Sequence, residues 1–217
     1  MKKLNTKNII KYVTVGGCLL SMGRLYGTLP WEDSNGGPAT IDANIVDVNL
    51  QNKFKETPLH TAAKVGDLEA VRILINRGAV IDARSIDGCT PLHYAAINGH
   101  LEVARFLIEE KGAAIDVQDS VGMRPLDWAV VNGRLEVARF LIAKGADVDA
   151  RNADGMRPLH WAALGGRLEV ARFLIEEKKA DVNALDHKGR TPLDCARNKV
   201  TEDFLRSVRS AGGENRR

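Results

Sequence analysis

The chain has 217 residues, of which 44% are hydrophobic and 27% charged, and its formal net charge at pH 7 is +3. This positive balance comes from the first 30 residues, which contain no acidic side chain and five basic ones: Lys2, Lys3, Lys7, Lys11 and Arg24. The remaining body carries 26 Lys and Arg against 28 Asp and Glu, a net charge of −2. Because a nucleic-acid ligand selects for a basic face, this composition argues against nucleic acid as the main ligand of the body.

Residues 1–29 have the layout of a secretory signal, in which a basic start precedes a short apolar run. The uncharged run from Tyr12 to Gly23 is too short to cross a bilayer, which takes about 20 residues. No Ala-x-Ala cleavage motif is available because the first alanine is Ala39. However, Val15-Gly16-Gly17-Cys18 is similar to a bacterial lipobox, which makes Cys18 a lipidation candidate. We expect a protein exported from a bacterium into the periplasm, onto a membrane or into the medium. An organelle transit peptide and a cytoplasmic leader are the alternatives.

Residues 30–45 are predicted to form a linker and a degenerate cap. The segment from Pro30 to Thr40 is rich in Gly, Pro and small polar residues, which is typical of a linker. Asp47-Val48-Asn49 then matches the closing part of a repeat unit, as expected of a cap with a polar outer face. Lys55 stands where the later units have glycine, so we expect an irregular first loop.

A short motif built on Pro-Leu recurs along the body with a nearly constant period. Its five prolines are separated by 33, 34, 33 and 34 residues: Pro58, Pro91, Pro125, Pro158 and Pro192. A fixed period of this length indicates stacked supersecondary units instead of one globular core. We number the predicted units 1 to 5, with approximate bounds at 52–84, 85–118, 119–151, 152–185 and 186–210.

Each unit is predicted to contain two helices joined by a glycine turn. Proline suits the first turn of a helix, where its missing N–H would have no partner, and the Thr before it in three units is a good N-cap. The second helix of unit 4 is predicted over Leu168–Glu177, and its sequence Leu-Glu-Val-Ala-Arg-Phe-Leu-Ile recurs verbatim in units 2 and 3. Its Glu169 and Arg172 are predicted to pair on the outer wall. Unit 5 lacks this sequence, so Val200 to Val208 is predicted to form a C-terminal cap, followed by a disordered tail at 211–217.

The five copies resemble the ankyrin repeat over about residues 46–210. This resemblance implies an all-α solenoid of ankyrin-type helix-turn-helix units with β-hairpin-like loops. It also implies that the histidine after Pro-Leu is structural, because in this family it ties the loop of one unit to the next. Three units carry that histidine, at His60, His93 and His160. Asp127 and Asp194 replace it in units 3 and 5.

No catalytic, cofactor or metal site is expected in the array. The histidines recur one per unit and therefore do not converge, and no phosphate-binding glycine loop, metal-ligand spacing or triad order is present. Cys89 and Cys195 lie three units apart, about 25–30 Å for helices stacked 8–10 Å from each other. A disulfide needs Cα atoms within about 7 Å, so we expect two inert thiols and no enzymatic activity.

The resemblance further implies a concave groove formed by the hairpin tips and the first helices. Unit 1 places Lys53, Phe54 and Val65 there, and unit 5 is basic. Units 2 to 4 carry apolar residues where solvent is expected, and exposed apolar surface, methionine in particular, marks protein contacts. The aromatic residues beside this stripe, Tyr94 and two tryptophans, are either packing residues or anchors for a partner. The predicted partner-binding residues are Ile86, Asp87, Ile97, Asn98, Val121, Met123, Trp128, Val131, Asn132, Asp154, Met156, Trp161 and Leu164.

These features predict a monomeric, non-enzymatic module that binds another protein in its groove and binds no nucleic acid. It would be tethered to a membrane if Cys18 is lipidated. The alternatives are a cytosolic adaptor or enzyme inhibitor, and an extracytoplasmic accessory factor for a redox enzyme.

Overall fold

The computed structural model describes residues 47–214 and two short strands upstream of them. Strands β1 (Pro30–Glu32) and β2 (Pro38–Thr40) pair antiparallel, with Trp31 opposite Ala39. The segment predicted as a linker therefore contains a small hairpin. The leader, including Cys18, lies outside the described residues.

Each unit contains a first helix that begins at the recurring proline. The backbone of the residue before each proline is extended, with ψ between 165° and 167°, as a following proline favours. The first helices are α1 (Pro58–Val65), α3 (Pro91–Asn98), α5 (Pro125–Val131), α7 (Pro158–Leu164) and α9 (Pro192–Cys195). The second helices are α2 (Leu68–Asn76), α4 (Leu101–Arg105), α6 (Leu135–Ala143) and α8 (Leu168–Arg172), and α10 (Lys199–Glu214) closes the array.

The helices are arranged in two rows. Each first helix packs on the first helices of neighbouring units and on the second helix of its own unit. Alanines where the first helices approach each other, among them Ala62, Ala95 and Ala162, are completely buried. Their small side chains allow close helix packing, and the apolar core lies between the two rows. The prediction of an all-α solenoid is confirmed.

The glycine between the two helices of a unit has both a conformational and a steric role. Gly66 ends α1 with a φ of 80°, in the left-handed region that favours glycine. A Cβ at this position would lie 2.4 Å from the ring of His100 in the next unit. His100 in turn donates from Nε2 to the Lys64 carbonyl at 3.1 Å, so the turn also serves as a contact between units.

The alternation of 33 and 34 residues has a structural cause in the second helices. In units 2 and 4 the helix continues as a π-helical turn, at Phe106–Glu110 and Phe173–Glu177. The bond that closes the helix then runs from the Ala113 amide to the Leu107 carbonyl, whereas its counterpart in unit 1 runs from Ala79 to Leu74. The wider turn therefore absorbs one extra residue.

The charged residues of the outer wall connect successive units. The predicted pair of Glu169 and Arg172 is not observed, since Arg172 contacts Glu176 at 3.2 Å. The equivalent Arg139 of unit 3 makes two bonds of 2.8 and 2.6 Å to Glu177 of the next unit. The guanidinium group of Arg139 also lies 4.3 Å from the centre of the Phe173 ring. Arg72 contacts unit 2 in the same way. The guanidinium groups of Arg72 and Arg139 lie over a phenylalanine ring of the next unit, which favours pairing across the stack. Arg105 and Arg172 instead pair with the glutamate four residues on in the same helical segment.

Both ends of the array are closed by partial units. At the first end, the side chain of Asn49 accepts from the Val80 amide at 2.8 Å and donates to the Gly78 carbonyl at 3.1 Å. At the other end, helix α10 buries Leu205 and places the Phe204 ring 4.5 Å from the Arg172 guanidinium group. The predicted C-terminal cap is therefore present as a helix, which extends into the segment predicted as a tail.

Among residues 47–214, none of the helices is both long enough and apolar enough to cross a membrane.

Candidate binding groove

The hairpin tips are rigid loops closed by one side chain each. In unit 1, the Asn52 side-chain oxygen accepts from the amides of Phe54 and Glu56 at 2.9 and 3.0 Å. Lys55 adopts a φ of 57°, the left-handed conformation of the glycines at this position in later units. The expectation of an irregular first loop is therefore wrong, because the two side-chain bonds fix the loop even without glycine.

The recurring histidines are committed to hydrogen bonds inside the array. In unit 2, His93 Nδ1 accepts from the Thr90 amide at 3.0 Å, and Nε2 lies 3.3 Å from the Met123 carbonyl of unit 3. Since a carbonyl only accepts, Nε2 carries the proton and the ring is neutral. Burial lowers the pKa of His93 to about 4. This geometry agrees with a structural role and leaves no ring nitrogen available for catalysis.

Asp127 occupies the histidine position in unit 3, and only one of its two carboxylate oxygens has a hydrogen-bond partner. Its Oδ2 accepts from the Arg124 amide at 2.9 Å, while Oδ1 is buried without a partner. Burial raises the pKa of this carboxyl to about 7. In unit 5, the equivalent Asp194 is exposed and also accepts from the Thr191 hydroxyl at 2.7 Å, so bonds from Thr191 lower its pKa.

The predicted partner-binding residues separate into three classes of exposure. Ile86, Asp87 and Asp154 are exposed at the hairpin tips. The half-buried ones are Ile97, Asn98, Val121, Asn132 and Leu164. The buried ones are Met123, Trp128, Val131, Met156 and Trp161. The first two classes are therefore accessible to solvent, whereas the third is withdrawn into the core.

The expectation that Met123, Val131 and Met156 are exposed is wrong, since they are 2%, 1% and 4% exposed. The backbone amides of Met123 and Met156 donate to the loop-closing side chains of Asp119 and Asn152. This arrangement turns the methionine side chains into the core. Val131 lies in the central first helix, with units on both sides. Glutamate at these three positions would place charge in the core and would test folding instead of binding.

The two tryptophans are packing residues, which was one of the two interpretations from sequence. Trp128 is 8% and Trp161 1% exposed. Trp128 Nε1 donates to Asp119 Oδ2 at 2.9 Å, whereas Trp161 Nε1 has no partner. Neither indole is available to a second protein as an anchor.

Apolar surface that is available to a partner lies further toward the N-terminal end than predicted. Phe54 and Ile86 are 51% and 56% exposed, and the Ile86 amide donates to the Phe54 carbonyl at 2.7 Å. The two side chains therefore stand on adjacent tips. The ammonium group of Lys53 lies 5.2 Å from the Phe54 ring, and Asp87 follows Ile86 directly. The sequence places Phe54 in the groove, but the emphasis on units 2 to 4 leaves it out of the predicted partner-binding residues.

The two cysteines of the array are buried, which lowers their reactivity. Cys89 and Cys195 are buried free thiols, and burial raises the pKa of each, which makes a nucleophilic thiolate unfavourable. Over the described residues, no group of three or more His, Cys, Asp or Glu side chains is placed to hold a metal ion.

Comparison with known families agrees with the architecture. A family model described as ankyrin repeats in three copies matches residues 34–119, and one described as ankyrin repeats in many copies matches residues 126–175 and 166–198. No curated protein matches the chain. Ankyrin repeats are protein-interaction modules and generally act as non-catalytic scaffolds. The chain belongs to the ankyrin-repeat family.

Proposed function

We propose that this protein binds a partner protein through the hairpin tips of units 1 and 2, with Phe54 and Ile86 as the apolar anchors. The observation that carries the proposal is their position on neighbouring tips, where each exposes more than half of its surface and packs on no core. Exposed apolar side chains in a contiguous patch are typical of protein contacts.

The rigidity of the tips supports this assignment. The loops are closed by side-chain bonds to Asn52 and Ser85 and joined by the bond between Ile86 and Phe54. A surface that is already ordered loses little conformational entropy when a partner docks. The half-buried Ile97 and Asn98 on α3 extend the surface inward from the tips, and Asp87 provides a polar edge.

Replacing Phe54 and Ile86 together by serine is expected to weaken partner binding by at least about tenfold, because anchor residues dominate interface energies. Partners are first captured by a photo-crosslinking residue at position 86 of the full chain and identified by mass spectrometry. Affinity of the purified partner for the double variant is then measured by calorimetry.

The matched control replaces Val80 and Val200 by serine, since these residues are 54% and 59% exposed but lie outside the tips. The control should bind as the unaltered protein does. If both double variants lose the same affinity, or if neither does, the tips of units 1 and 2 are not the docking site.

We further propose that the protein is exported, on the basis of the basic and apolar leader that ends before the array. Expression in a bacterium followed by fractionation and intact-mass measurement tests this proposal. A mature chain starting at Cys18 with added acyl mass is expected for a lipoprotein, and a chain cut nearby without that mass for a soluble exported protein. An uncut chain in the cytosol would contradict export and direct the partner search to cytosolic proteins.

A further inference from the structure

Two hydrogen bonds recur at the junctions between units, on the side of the groove. In the first, the structural histidine donates from Nε2 to a backbone carbonyl of the next unit. His60 contacts the Cys89 carbonyl at 3.1 Å, His93 the Met123 carbonyl at 3.3 Å, and His160 the Arg190 carbonyl at 3.1 Å. These bonds connect unit 1 to unit 2, unit 2 to unit 3, and unit 4 to unit 5.

The second recurring bond joins the backbones of adjacent hairpin tips. It runs from Ile86 to Phe54, from Ser120 to Asp87, and from His187 to Asp154, with lengths of 2.7, 2.8 and 2.9 Å. It therefore connects the same three pairs of units as the histidine bond.

The junction between units 3 and 4 has neither bond in the described array. Asp127 replaces the histidine, and the Ala153 amide makes no bond to the tip of unit 3. Of the four buried side-chain atoms without a partner in the described residues, three lie in these two units: Asp127 Oδ1, Arg157 Nε and Trp161 Nε1. On the groove side, this junction therefore lacks both of the hydrogen bonds that recur at the other three junctions.

The opposite side of this junction keeps its connections. Arg139 and Glu177 join the second helices by two bonds, and Arg167 Nε donates to the Val131 carbonyl at 3.0 Å. Two exposed contacts remain near this junction: the Arg124 side chain donates to the carbonyl of Arg151, the last residue of unit 3, at 3.2 Å, and Arg157 of unit 4 pairs with Asp149 of unit 3 at 3.2 Å. Exposed bonds of this kind contribute little because water competes for both groups.

We propose that the array hinges between units 3 and 4, with the hairpin tips separating on the groove side and the second helices acting as the pivot. In a solenoid each unit contacts only its neighbours, so one weak interface divides the array into two blocks. Units 1 to 3 form the first block, which contains the Phe54 and Ile86 patch, and units 4 and 5 form the second. Bending at this junction changes the curvature of the groove when a partner spans it.

Native-state hydrogen exchange on the full chain tests the hinge. The amides of α7 and α8 are expected to exchange in a common opening with those of unit 5, with protection about tenfold or more below that of α5 and α6. A gradual decline toward the C-terminus, with α7 protected as well as α5, would overturn the proposal because it is the pattern of ordinary fraying at the end of a solenoid.

A substitution that restores the missing donor provides a second measurement. Asp127→His is expected to raise the protection of α7 by about tenfold, toward that of α5. The matched control is Asp194→His in unit 5, which has no following unit to contact and should leave α7 unchanged. A folded Asp127→His protein whose α7 protection is unchanged contradicts the hinge. If that variant does not fold, the step in protection between units 3 and 4 of the unaltered chain decides the question.

Discussion

Replacing Asp127 by asparagine is expected to raise the free energy of unfolding by about 2–4 kcal/mol at pH 8. Asp127 is 1% exposed, and its Oδ1 has no partner. Burial is the main cause of its raised pKa, the charges of Asp119 and Asp116 add to the rise, and Arg124 opposes it. Above pH 7 the folded protein therefore holds a buried, partly unpaired carboxylate. An asparagine keeps an acceptor for the Arg124 amide and removes the charge.

The stability gained by Asp127→Asn should increase as the pH rises. The pKa of Asp127 is about 7 in the folded protein against an ordinary value of 3.8, so the folded state holds the proton more tightly. The stability of the unaltered protein should fall as pH rises from about 4 to about 7 and level off above it. Asp127→Asn does not titrate, so its advantage should be complete above pH 7 and disappear near pH 4. Urea unfolding followed by circular dichroism across this range measures the effect.

Asp194→Asn is the matched control with the opposite sign. Asp194 occupies the same place in its unit, but bonds from Thr191 hold its pKa below the ordinary value, so the charge is favourable and is lost only in acid. We expect a small loss of stability above pH 4. Equal effects of the two substitutions at pH 8 would contradict the assigned environment of Asp127.

Replacing Asn152 by aspartate is expected to stabilise unit 4 by about 2 kcal/mol at pH 8. Asn152 closes its loop with Oδ1 as Asp119 does in unit 3. The second oxygen of Asp119 accepts from Trp128 Nε1. At the equivalent place Asn152 has an amide NH₂, which donates, and Trp161 Nε1 is buried without an acceptor. A carboxylate would supply that acceptor, and urea unfolding with exchange of the Trp161 indole proton would detect it.

The reciprocal substitution, Asp119→Asn, should cost unit 3 a similar free energy because it removes the acceptor of Trp128. A stabilised Asp119→Asn protein, or an Asn152→Asp protein whose Trp161 indole proton exchanges as fast as before, would show that the indole bond is not what distinguishes the two units.

The features that repeat could be predicted from the sequence, and the features that differ between units could not. Pro58 and its counterparts determine where each first helix begins, because proline favours the first turn of a helix. His93 and its counterparts recur because each donates the same bond from Nε2 to a backbone carbonyl of the next unit. The direction of the Met123 and Met156 side chains depends instead on the loop-closing bonds and on neighbouring units. A signal was available, since Cys89 holds the same position in unit 2 and is also buried. An apolar residue repeated at one place in the inner units indicates core.

The place of the extra residue in the second helices and the contacts at the junctions could not be predicted for a different reason. The spacing of 33 and 34 residues was visible, but the chain offers several places for one extra residue, and only the backbone bonds place it in the π-helical turns. Likewise, Asp127 departs visibly from the repeat, but the cost of its unpaired oxygen follows from its burial, since the Thr191 bonds in unit 5 also go to one oxygen, Oδ2, of the exposed Asp194.

The neutral histidine rings give the array an uneven response to acid. His93 has a folded pKa of about 4 against an ordinary value of 6.5, so its contribution to stability is complete above pH 6.5 and is lost as pH falls toward 4. Protonation of Asp127 over a similar range removes a buried charge and therefore acts in favour of folding. On mild acidification the junctions that contain a histidine bond lose stability, while unit 3, which has Asp127 in place of histidine, gains stability. Acid therefore makes the stability of the solenoid more even along its length.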